Sequence, residues 1–439
     1  MLVTADRVFG GHLYVRNGKI AAISDDGTLP AREELDAAGL YVLPGMLDCH
    51  AHINDPGFTW REDLPHASEA AAVGGVTTLI DMPLQNTPPL TSADAFANKL
   101  AVFEGRSLVD YALWGGLVTD NAAELAGMDA AGAVGFKAFI APVSLGYSSV
   151  DMGLAREALF RIKAFGGLAG FHCEDHALIC AGEAKAKAGG GTRRAFLDRP
   201  VVAEVIATAN VIELARETGA RVHICHVSHP RVAELVRRAQ ADGLSVTGET
   251  CPHYLVFTEE NLLSCGTVFK CAPPLRTAEA RDRLWEYVLD GTLSCIGSDH
   301  SPSRPDEKDE AVHGVMGAWG GLSGLQSLVQ VMFDQAVTRR GCSPSLLARF
   351  ASSAARVFGL DGRKGALGVG LDADAVLIDP GRAWTITAHS LRYLNPFSAF
   401  EGLEGVGLPV CTVVRGRVVA REGNVLAPFG HGLFQPRKP

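Results

Sequence analysis

Eight apolar runs of strand length, separated by segments with helical character, dominate the hydrophobic pattern of this chain. The runs are Met46–Ile53, Val76–Met82, Tyr111–Leu117, Val134–Ile140, Leu168–His172, Val222–Val227, Ser245–Thr250 and Leu293–Ser298. The helical segments between them include Glu62–Val73, Gly153–Ala164, Val201–Thr218 and Arg231–Ala241. Strands buried on both faces read as continuous apolar runs, and their alternation with helices is typical of a parallel sheet. The pattern therefore predicts an α/β protein with a (β/α)8 barrel.

An open doubly wound sheet is the alternative reading of the same alternation. The first apolar run is not followed by G-x-G-x-x-G, which weakens the dinucleotide-binding version of that fold. Both chain ends differ from the middle, with short strand-like segments such as Cys411–Val419 and an Asn-Gly hairpin signal at 17–18. We expect a composite β-sandwich domain from residues 1–44 plus 365–439, flanking a barrel at 45–364.

Composition argues against a nucleic-acid-binding protein, a membrane protein and a disulfide-rich secreted protein. The chain has 439 residues, 47% of them hydrophobic, and a net charge of −9, which gives no reason to expect nucleic acid as a partner. It has neither a basic N-terminal region followed by a long apolar stretch nor an apolar run of about 18 residues, so we expect no membrane span. Ten scattered cysteines without C-x-x-C favour a reducing cytoplasm over a disulfide framework.

The ends of five apolar runs carry side chains that suit a metal. They are His50 and His52, Lys137, His172, His226 and Asp299. Positions i and i+2 of a strand share a face, and barrel active sites lie at the C-terminal strand ends, so these side chains should converge. Singly, a histidine is more often structural than a ligand. Together, imidazole and carboxylate suit zinc, iron, manganese or cobalt. Lysine joins such a set only as a carbamate, formed with carbon dioxide, which can bridge two ions.

The motifs around these positions closely resemble the amidohydrolase superfamily, in its branch of allantoinases, dihydropyrimidinases (hydantoinases) and dihydroorotases. They are Pro44–Asp48, Gly74–Thr78, Glu249–Tyr254, Pro273–Arg276 and Ser298–Ser301, and they span essentially the whole chain. The resemblance implies that His50, His52 and Asp299 hold one divalent ion and that His172 and His226 hold a second. It also implies a carbamate on Lys137 that bridges the two ions. Zinc is the expected metal, and a bridging hydroxide is the expected nucleophile, with Asp299 carrying its proton.

Within the branch, the substrate is read from a few positions. Asn54 stands where dihydroorotases carry an arginine, and Pro142 stands where dihydropyrimidinases carry a tyrosine. Asp81–Leu84 and Ala318–Gln326 resemble allantoinases. We therefore expect hydrolysis of a cyclic ureide, allantoin to allantoate, with dihydropyrimidinase (hydantoinase) or dihydroorotase activity as the alternative. A non-catalytic scaffold paralogue is a further alternative, but such chains usually lack several ligands. Asn54, Ala272 and Gly320 are the expected substrate contacts, and the expected assembly is a homodimer or homotetramer.

Two segments depart from the allantoinase pattern. Phe58–Ala67 carries Arg61 where tryptophan is common, and Pro302–Gly317 is longer and more charged than expected. The second segment directly follows Asp299 and has few apolar residues before Val315, so we expect little burial to hold it. Its position after a barrel strand predicts a mobile lid over the substrate.

Overall fold

The computed structural model describes residues 1–143 and 146–437. Its strands are β1 Leu2–Val3, β2 Val8–Phe9, β3 His12–Arg16, β4 Lys19–Ser24, β5 Tyr41–Pro44, β6 Met46–Ala51, β7 Val76–Asp81, β8 Asp110–Leu113, β9 Gly115–Gly116, β10 Phe136–Phe139, β11 Leu168–His172, β12 Arg221–Ile224, β13 Val246–Thr250, β14 Cys295–Ile296, β15 Ala375–Thr385, β16 Glu404–Val414, β17 Arg417–Arg421 and β18 Asn424–Val425.

The helices are α1 Leu64–Gly74, α2 Ala93–Phe103, α3 Leu125–Ala130, α4 Met152–Ala164, α5 His176–Ala188, α6 Arg193–Leu197, α7 Val201–Thr218, α8 Pro230–Ala241, α9 Pro252–Val256, α10 Glu259–Cys265, α11 Ala278–Leu289, α12 Glu310–Gly317, α13 Leu328–Phe333 and α14 Ser345–Val357. Each of the eight predicted apolar runs overlaps a barrel strand, and α7 has its predicted bounds. Across the described ranges, 1–143 and 146–437, no helix is both long and apolar enough to cross a membrane.

The barrel consists of two parallel sheets that meet at Trp114. One sheet has the order β6-β7-β8 and the other β9-β10-β11-β12-β13-β14, and Trp114 alone separates β8 from β9. A parallel bridge between Ala51 and His300 joins the first strand to the segment after the last one. Ser298 also donates its backbone N–H to Asp48 Oδ1 at 2.9 Å across the same junction. The sheet is therefore closed, and the open doubly wound alternative is excluded.

Capping residues determine where a helix begins and where it ends before the next strand, as α1 illustrates. The Asp63 side chain accepts a hydrogen bond from the backbone N–H of His66 at 3.0 Å, which caps the first turn. The helix ends at Gly74, and the capping residue Gly75 has a φ of +89°, a left-handed conformation that glycine adopts without a Cβ penalty. A Cβ at Gly75 would also lie 2.7 Å from Val376 of β15. The turn thus places β7 and brings the barrel against the C-terminal strands.

Strands from both chain ends form a seven-stranded sheet with the order β18-β17-β16-β15-β5-β1-β2. The N-terminal β5 pairs antiparallel with the C-terminal β15. This confirms the expected β unit from both ends beside the barrel. The boundaries 1–44 plus 365–439 and 45–364 remain our proposal, and their last two residues lie outside the described chain.

The C-terminal segment 433–437 returns to the barrel, at the start of its third strand. The backbone N–H of Tyr111 donates to the Leu433 carbonyl at 3.1 Å, and that of Gln435 donates to the Tyr111 carbonyl at 2.7 Å. Phe434 packs on Tyr111 with ring centres 6.0 Å apart. The backbone of Tyr111 is therefore satisfied by residues more than 300 positions later in the chain.

Candidate metal centre and active site

The six predicted ligand residues converge at the C-terminal end of the barrel. Asp299 Oδ1 lies 3.3 Å from Nε2 of His50 and 3.3 Å from Nε2 of His52. The ring centre of His226 lies 5.3 Å from that of His50 and 4.5 Å from that of His172. The remaining residue, Lys137, is fully buried on β10, beside the strand that ends in His172. The side chains thus form one contiguous cluster.

Glu249, at the end of β13, orients the first histidine. Its carboxylate accepts a short hydrogen bond from His50 Nδ1 and further bonds from Cys49 Sγ at 3.0 Å and the His226 backbone N–H at 3.3 Å. With Nδ1 donating to Glu249, the Nε2 lone pair of His50 is free to face Asp299 and a metal. A carboxylate behind a histidine commonly fixes its tautomer and raises its basicity in this way.

Glu174 has the same relation to the third histidine. Its Oε2 lies 2.7 Å from His172 Nε2. Arg199 holds the same carboxylate with two hydrogen bonds of 2.7 and 2.6 Å. Burial opposes ionisation of Glu174, but the Arg199 charge outweighs it and holds the pKa below the usual range. Nδ1 of His172 is consequently the ring nitrogen available to an ion.

Two of the converging residues have backbone conformations that are rare outside glycine. His226 has φ +37° and Asp299 has φ +46°. Such residues cost roughly 1–3 kcal/mol each and persist where the surroundings determine them. At Asp299 the preceding residue is held by Asp48, which accepts both the N–H and the hydroxyl of Ser298. The sharp turns direct both side chains back over the strand ends.

A buried ion pair fixes the loop after His52. Lys99 forms a short ion pair with Asp81 at the end of β7, and both side chains are 1% exposed. Asp81 Oδ1 accepts the backbone N–H of Ile53 at 2.6 Å, and Lys99 Nζ donates to the Ile53 carbonyl at 3.2 Å. Both polar groups of the Ile53 backbone are thereby satisfied, which sets the direction of the chain past His52.

The cluster contains neutral imidazoles, an ionised carboxylate and nitrogen atoms without hydrogen-bond partners in the described part of the chain, as binding of a divalent ion requires. The pKa values of His50, His172 and His226 are lowered, in each case chiefly by burial, so these imidazoles are neutral at pH 7. The pKa of Asp299 is low despite its burial, because the histidines face it. Nδ1 of His52 and of His226 and Nζ of Lys137 are buried and find no hydrogen-bond partner among the described residues. Neutral imidazoles with a carboxylate fit zinc or a similar ion.

Sequence reasoning missed three residues of this region. Glu249 lies near the end of β13, the strand among β10–β14 to which no candidate was assigned. That gap and the motif Glu249–Tyr254 were the available signals. Glu174 lies two residues after His172 and could have been read as its partner. His253 is 1% exposed, both its ring nitrogens lack partners in the described structure, and its ring lies near Cys251 and Asp299.

The three predicted substrate contacts lie in different surroundings. Asn54 is fully buried, and neither its amide nitrogen nor its amide oxygen has a hydrogen-bond partner within the described ranges. Ala272 is half-buried before a cis bond to Pro273. Gly320 is exposed, and a Cβ there would meet only Lys270 Cε, at 4.0 Å. Their contact with substrate remains a prediction.

The expectation that little burial holds Pro302–Gly317 fits most of its residues, which are exposed, but it does not hold at Lys308. Most of the segment is helical, with a 3-10 turn at Pro305–Lys308 and α12 interrupted by the non-helical Gly314. Lys308 is 7% exposed, and its Nζ donates to the carbonyls of Thr267 at 3.1 Å and Lys270 at 2.9 Å. Some of the charged side chains that suggested a solvated loop therefore form buried contacts. A lid role for the segment remains only a prediction.

Comparison with known proteins identifies relatives over nearly the whole chain. The model of the "Amidohydrolase family" matches residues 41–419. An allantoinase from Rubrobacter xylanophilus is 40% identical over 428 residues, covering 97% of this chain and 94% of that protein. An allantoinase from Escherichia coli is 38% identical over 435 residues, covering 96% and 94%.

Solved structures agree with the fold. An L-hydantoinase (dihydropyrimidinase) from Arthrobacter aurescens superposes with a TM-score of 0.97 at 37% identity, covering 99% of this chain and 98% of that one. A dihydropyrimidinase from Brevibacillus agri superposes with a TM-score of 0.93 at 28% identity, covering 99% and 97%. With the family match, these similarities confirm the resemblance seen in the motifs: the chain belongs to the amidohydrolase family and is a hydrolase.

Proposed function

We propose that this protein opens the ring of allantoin by hydrolysis of a cyclic amide, giving allantoate. The main support is the near full-length similarity to two allantoinases at 38–40% identity, combined with the convergence of all six predicted ligand residues in one cluster. Loss of ligands would be expected of a scaffold paralogue, and none of the six is lost.

Two divalent ions, zinc by preference and iron, cobalt or manganese as alternatives, fit the donor set. His50, His52 and Asp299 would hold one ion and His172 and His226 the other, with a carbamate on Lys137 between them. When bound, such a pair supplies a water activated as a nucleophile at neutral pH and polarises the carbonyl under attack. The carbamate is supported by Lys137 Nζ, since a buried ammonium without a partner in the described chain is costly and would repel the ions.

Asp299 is the proposed proton carrier. Its Oδ1 lies 3.3 Å from Nε2 of both His50 and His52, so the carboxylate is placed to accept the proton that the attacking water loses. It then returns that proton to the ring nitrogen as the carbon–nitrogen bond breaks, because an amide anion is a very poor leaving group. Glu249 and Glu174 keep His50 and His172 in the tautomers that leave one nitrogen free. Asn54, Ala272 and Gly320 are the proposed contacts of the ring.

Hydantoinase or dihydropyrimidinase activity is the second candidate, favoured by the TM-score of 0.97 to an L-hydantoinase. The tyrosine hydroxyl that this chemistry uses is missing at Pro142. Tyr147, further along, donates its hydroxyl to the Lys137 carbonyl at 2.6 Å and is fully committed there. The lack of a free tyrosine hydroxyl at these two positions favours allantoin over the substrates of dihydropyrimidinases.

The test is turnover by the metal-loaded protein with allantoin, hydantoin, dihydrouracil and dihydroorotate as parallel substrates. We expect allantoate as the product and allantoin as the best of the four. A protein inert on allantoin yet fast on dihydrouracil or dihydroorotate would contradict the substrate assignment. Under one ion per chain after expression in metal-supplemented medium would revive the scaffold alternative.

We further propose that the protein works in the cytoplasm as a homodimer or homotetramer. All ten cysteines are free thiols in the structure, seven of them buried, which suits a reducing compartment. Light scattering of the purified protein would give the assembly directly.

A further inference from the structure

Arg61 is a buried arginine with only part of its hydrogen-bonding capacity in use. Its Nε donates to Glu307 Oε1 at 2.9 Å and to Oε2 at 3.1 Å, and its Nη2 donates to Oε1 at 2.5 Å. The residue is 8% exposed. Nη1, on the other edge of the guanidinium, is buried and has no partner among the residues that the structure describes.

This pair joins the two segments that depart from the family pattern. Arg61 lies in the loop that carries His52 and Asn54 at its start, and Glu307 lies in Pro302–Gly317, directly after Asp299. The unusual arginine and the unusual charged segment are therefore in direct contact. A bidentate arginine–carboxylate contact also fixes the plane of the guanidinium, since it uses two parallel N–H groups.

Trp319 fixes the guanidinium from its face. The Arg61 Cζ lies 3.9 Å from the centre of the Trp319 ring. The indole is held in turn, because Trp319 Nε1 donates to the Ser301 carbonyl at 3.0 Å and the Trp319 backbone N–H donates to the Glu307 carbonyl at 2.8 Å. Trp319 precedes Gly320, the predicted ring contact. Arg61 is thus held rigidly beside the place where we expect the substrate.

An unpaired donor in such a position favours a ligand with a neutral acceptor. A buried donor left unsatisfied is unfavourable, and an incoming oxygen would satisfy it. Glu307 balances the charge of Arg61, so the pair offers a hydrogen bond with little net charge, which fits a carbonyl better than a carboxylate.

We propose that Arg61 determines specificity by donating its free Nη1–H to a neutral carbonyl oxygen on the substituent of the bound ring. In allantoin that oxygen is the carbonyl of the ureido arm. The assignment rests on the proposed function and goes beyond it, because it names the group that distinguishes a ureido-substituted ring from a bare one. Glu307 and Trp319 are positioning residues for this contact.

The test compares allantoin with hydantoin, which has the same ring without the ureido arm. In Arg61→Met the ratio of kcat/KM for allantoin to kcat/KM for hydantoin should fall about 10- to 100-fold, the size of one hydrogen bond to a charged donor. Most of the change should be in KM. Arg61→Lys keeps a positive charge beside Glu307 but lacks the Nη1–H donor. The ratio of kcat/KM for allantoin to that for hydantoin should therefore also fall, while Tm and metal content stay near wild type. The lysine variant keeps the test valid if the methionine variant folds poorly.

Arg304→Met is the matched control, because Arg304 is an exposed arginine of the same segment that pairs with Asp306 at 2.9 Å. Its substrate ratio should match wild type. Equal losses on both substrates in the Arg61 variants, or no loss on either, would overturn the assignment while leaving the proposed function intact. A wild-type protein inert on allantoin would overturn both, and that result is seen before any variant is made.

Discussion

Replacing Lys364 with methionine should destabilise the protein measurably, because this lysine neutralises a buried group of carboxylates. Lys364 Nζ lies 2.7 Å from Asp374 and 2.9 Å from Asp372, and it forms a short ion pair with Asp110. Lys364 is fully buried, and so is Asp110. The group joins the third barrel strand to the start of β15. Methionine fills similar space but leaves its neighbours with an uncompensated negative charge.

The expected loss follows from that charge. Breaking a buried ion pair by removing one partner costs about 3–5 kcal/mol. Unfolding entropy is about 2.1 cal/mol/K per residue, so a chain of 439 residues that unfolds as one unit has roughly 0.9 kcal/mol/K. Tm should therefore fall by about 3–5 °C. Because protonation relieves the carboxylates, the gap to wild type should narrow when the pH is lowered from about 8 to about 5.

The assay is differential scanning calorimetry of metal-loaded wild type and variant at one scan rate and several pH values. Lys19→Met is the matched control. Lys19 pairs with Asp372 at 2.9 Å, but its side chain is 53% exposed, and an exposed pair contributes about 1 kcal/mol or less. An unchanged or higher Tm for Lys364→Met would refute the reasoning, since it would mean that the carboxylates do not need this partner.

Three changes near the barrel mouth give further tests. Gly320→Val should raise KM for allantoin at least tenfold with metal content unchanged, because the added side chain meets little protein and would occupy ligand space; an unchanged KM would place the ring elsewhere. Lys137→Ala should abolish tight binding of the second ion, measured by elemental analysis, and short carboxylic acids should partly restore it; two ions bound without rescue would exclude the carbamate bridge. Burial raises the pKa of Glu62 to about 8 from 4.5, so the folded chain keeps a proton that the unfolded chain releases, and stability should fall as the pH rises from about 5 to 8. Glu62→Gln should flatten that dependence of Tm on pH, whereas parallel curves would show that Glu62 is ionised in the fold.

The barrel and the convergence of the candidate ligand residues could be predicted because both depend on local features of the sequence. A buried parallel strand is a continuous apolar run, and a ligand at its end follows that run directly, as His172 follows Leu168–Phe171. The topology then brings such ends together without any knowledge of side-chain contacts.

The supporting contacts could not be predicted in the same way, because their partners are distant in the chain. Glu249 binds His50 from 199 positions away, and Arg61 binds Glu307 from 246 positions away. Lys308 shows the cost of judging by composition alone. Its segment is charged and looked solvated, yet carbonyls from Thr267 and Lys270 surround its ammonium, and nothing near Lys308 in the sequence indicates them.

The pairing of Tyr111 with residues 433–435 has a consequence for how the chain can fold during synthesis. The ribosome delivers residues in order, so the edge of the third barrel strand stays open until nearly all of the chain has emerged. The same holds for β5, whose antiparallel neighbour β15 is made more than 300 residues later. Strand edges of the nascent barrel therefore remain exposed until the C-terminal residues emerge. Exposed strand edges are the surfaces through which incomplete sheets associate with one another. Yield of the native protein should depend on chaperone capacity during translation more than on the stability of the finished molecule.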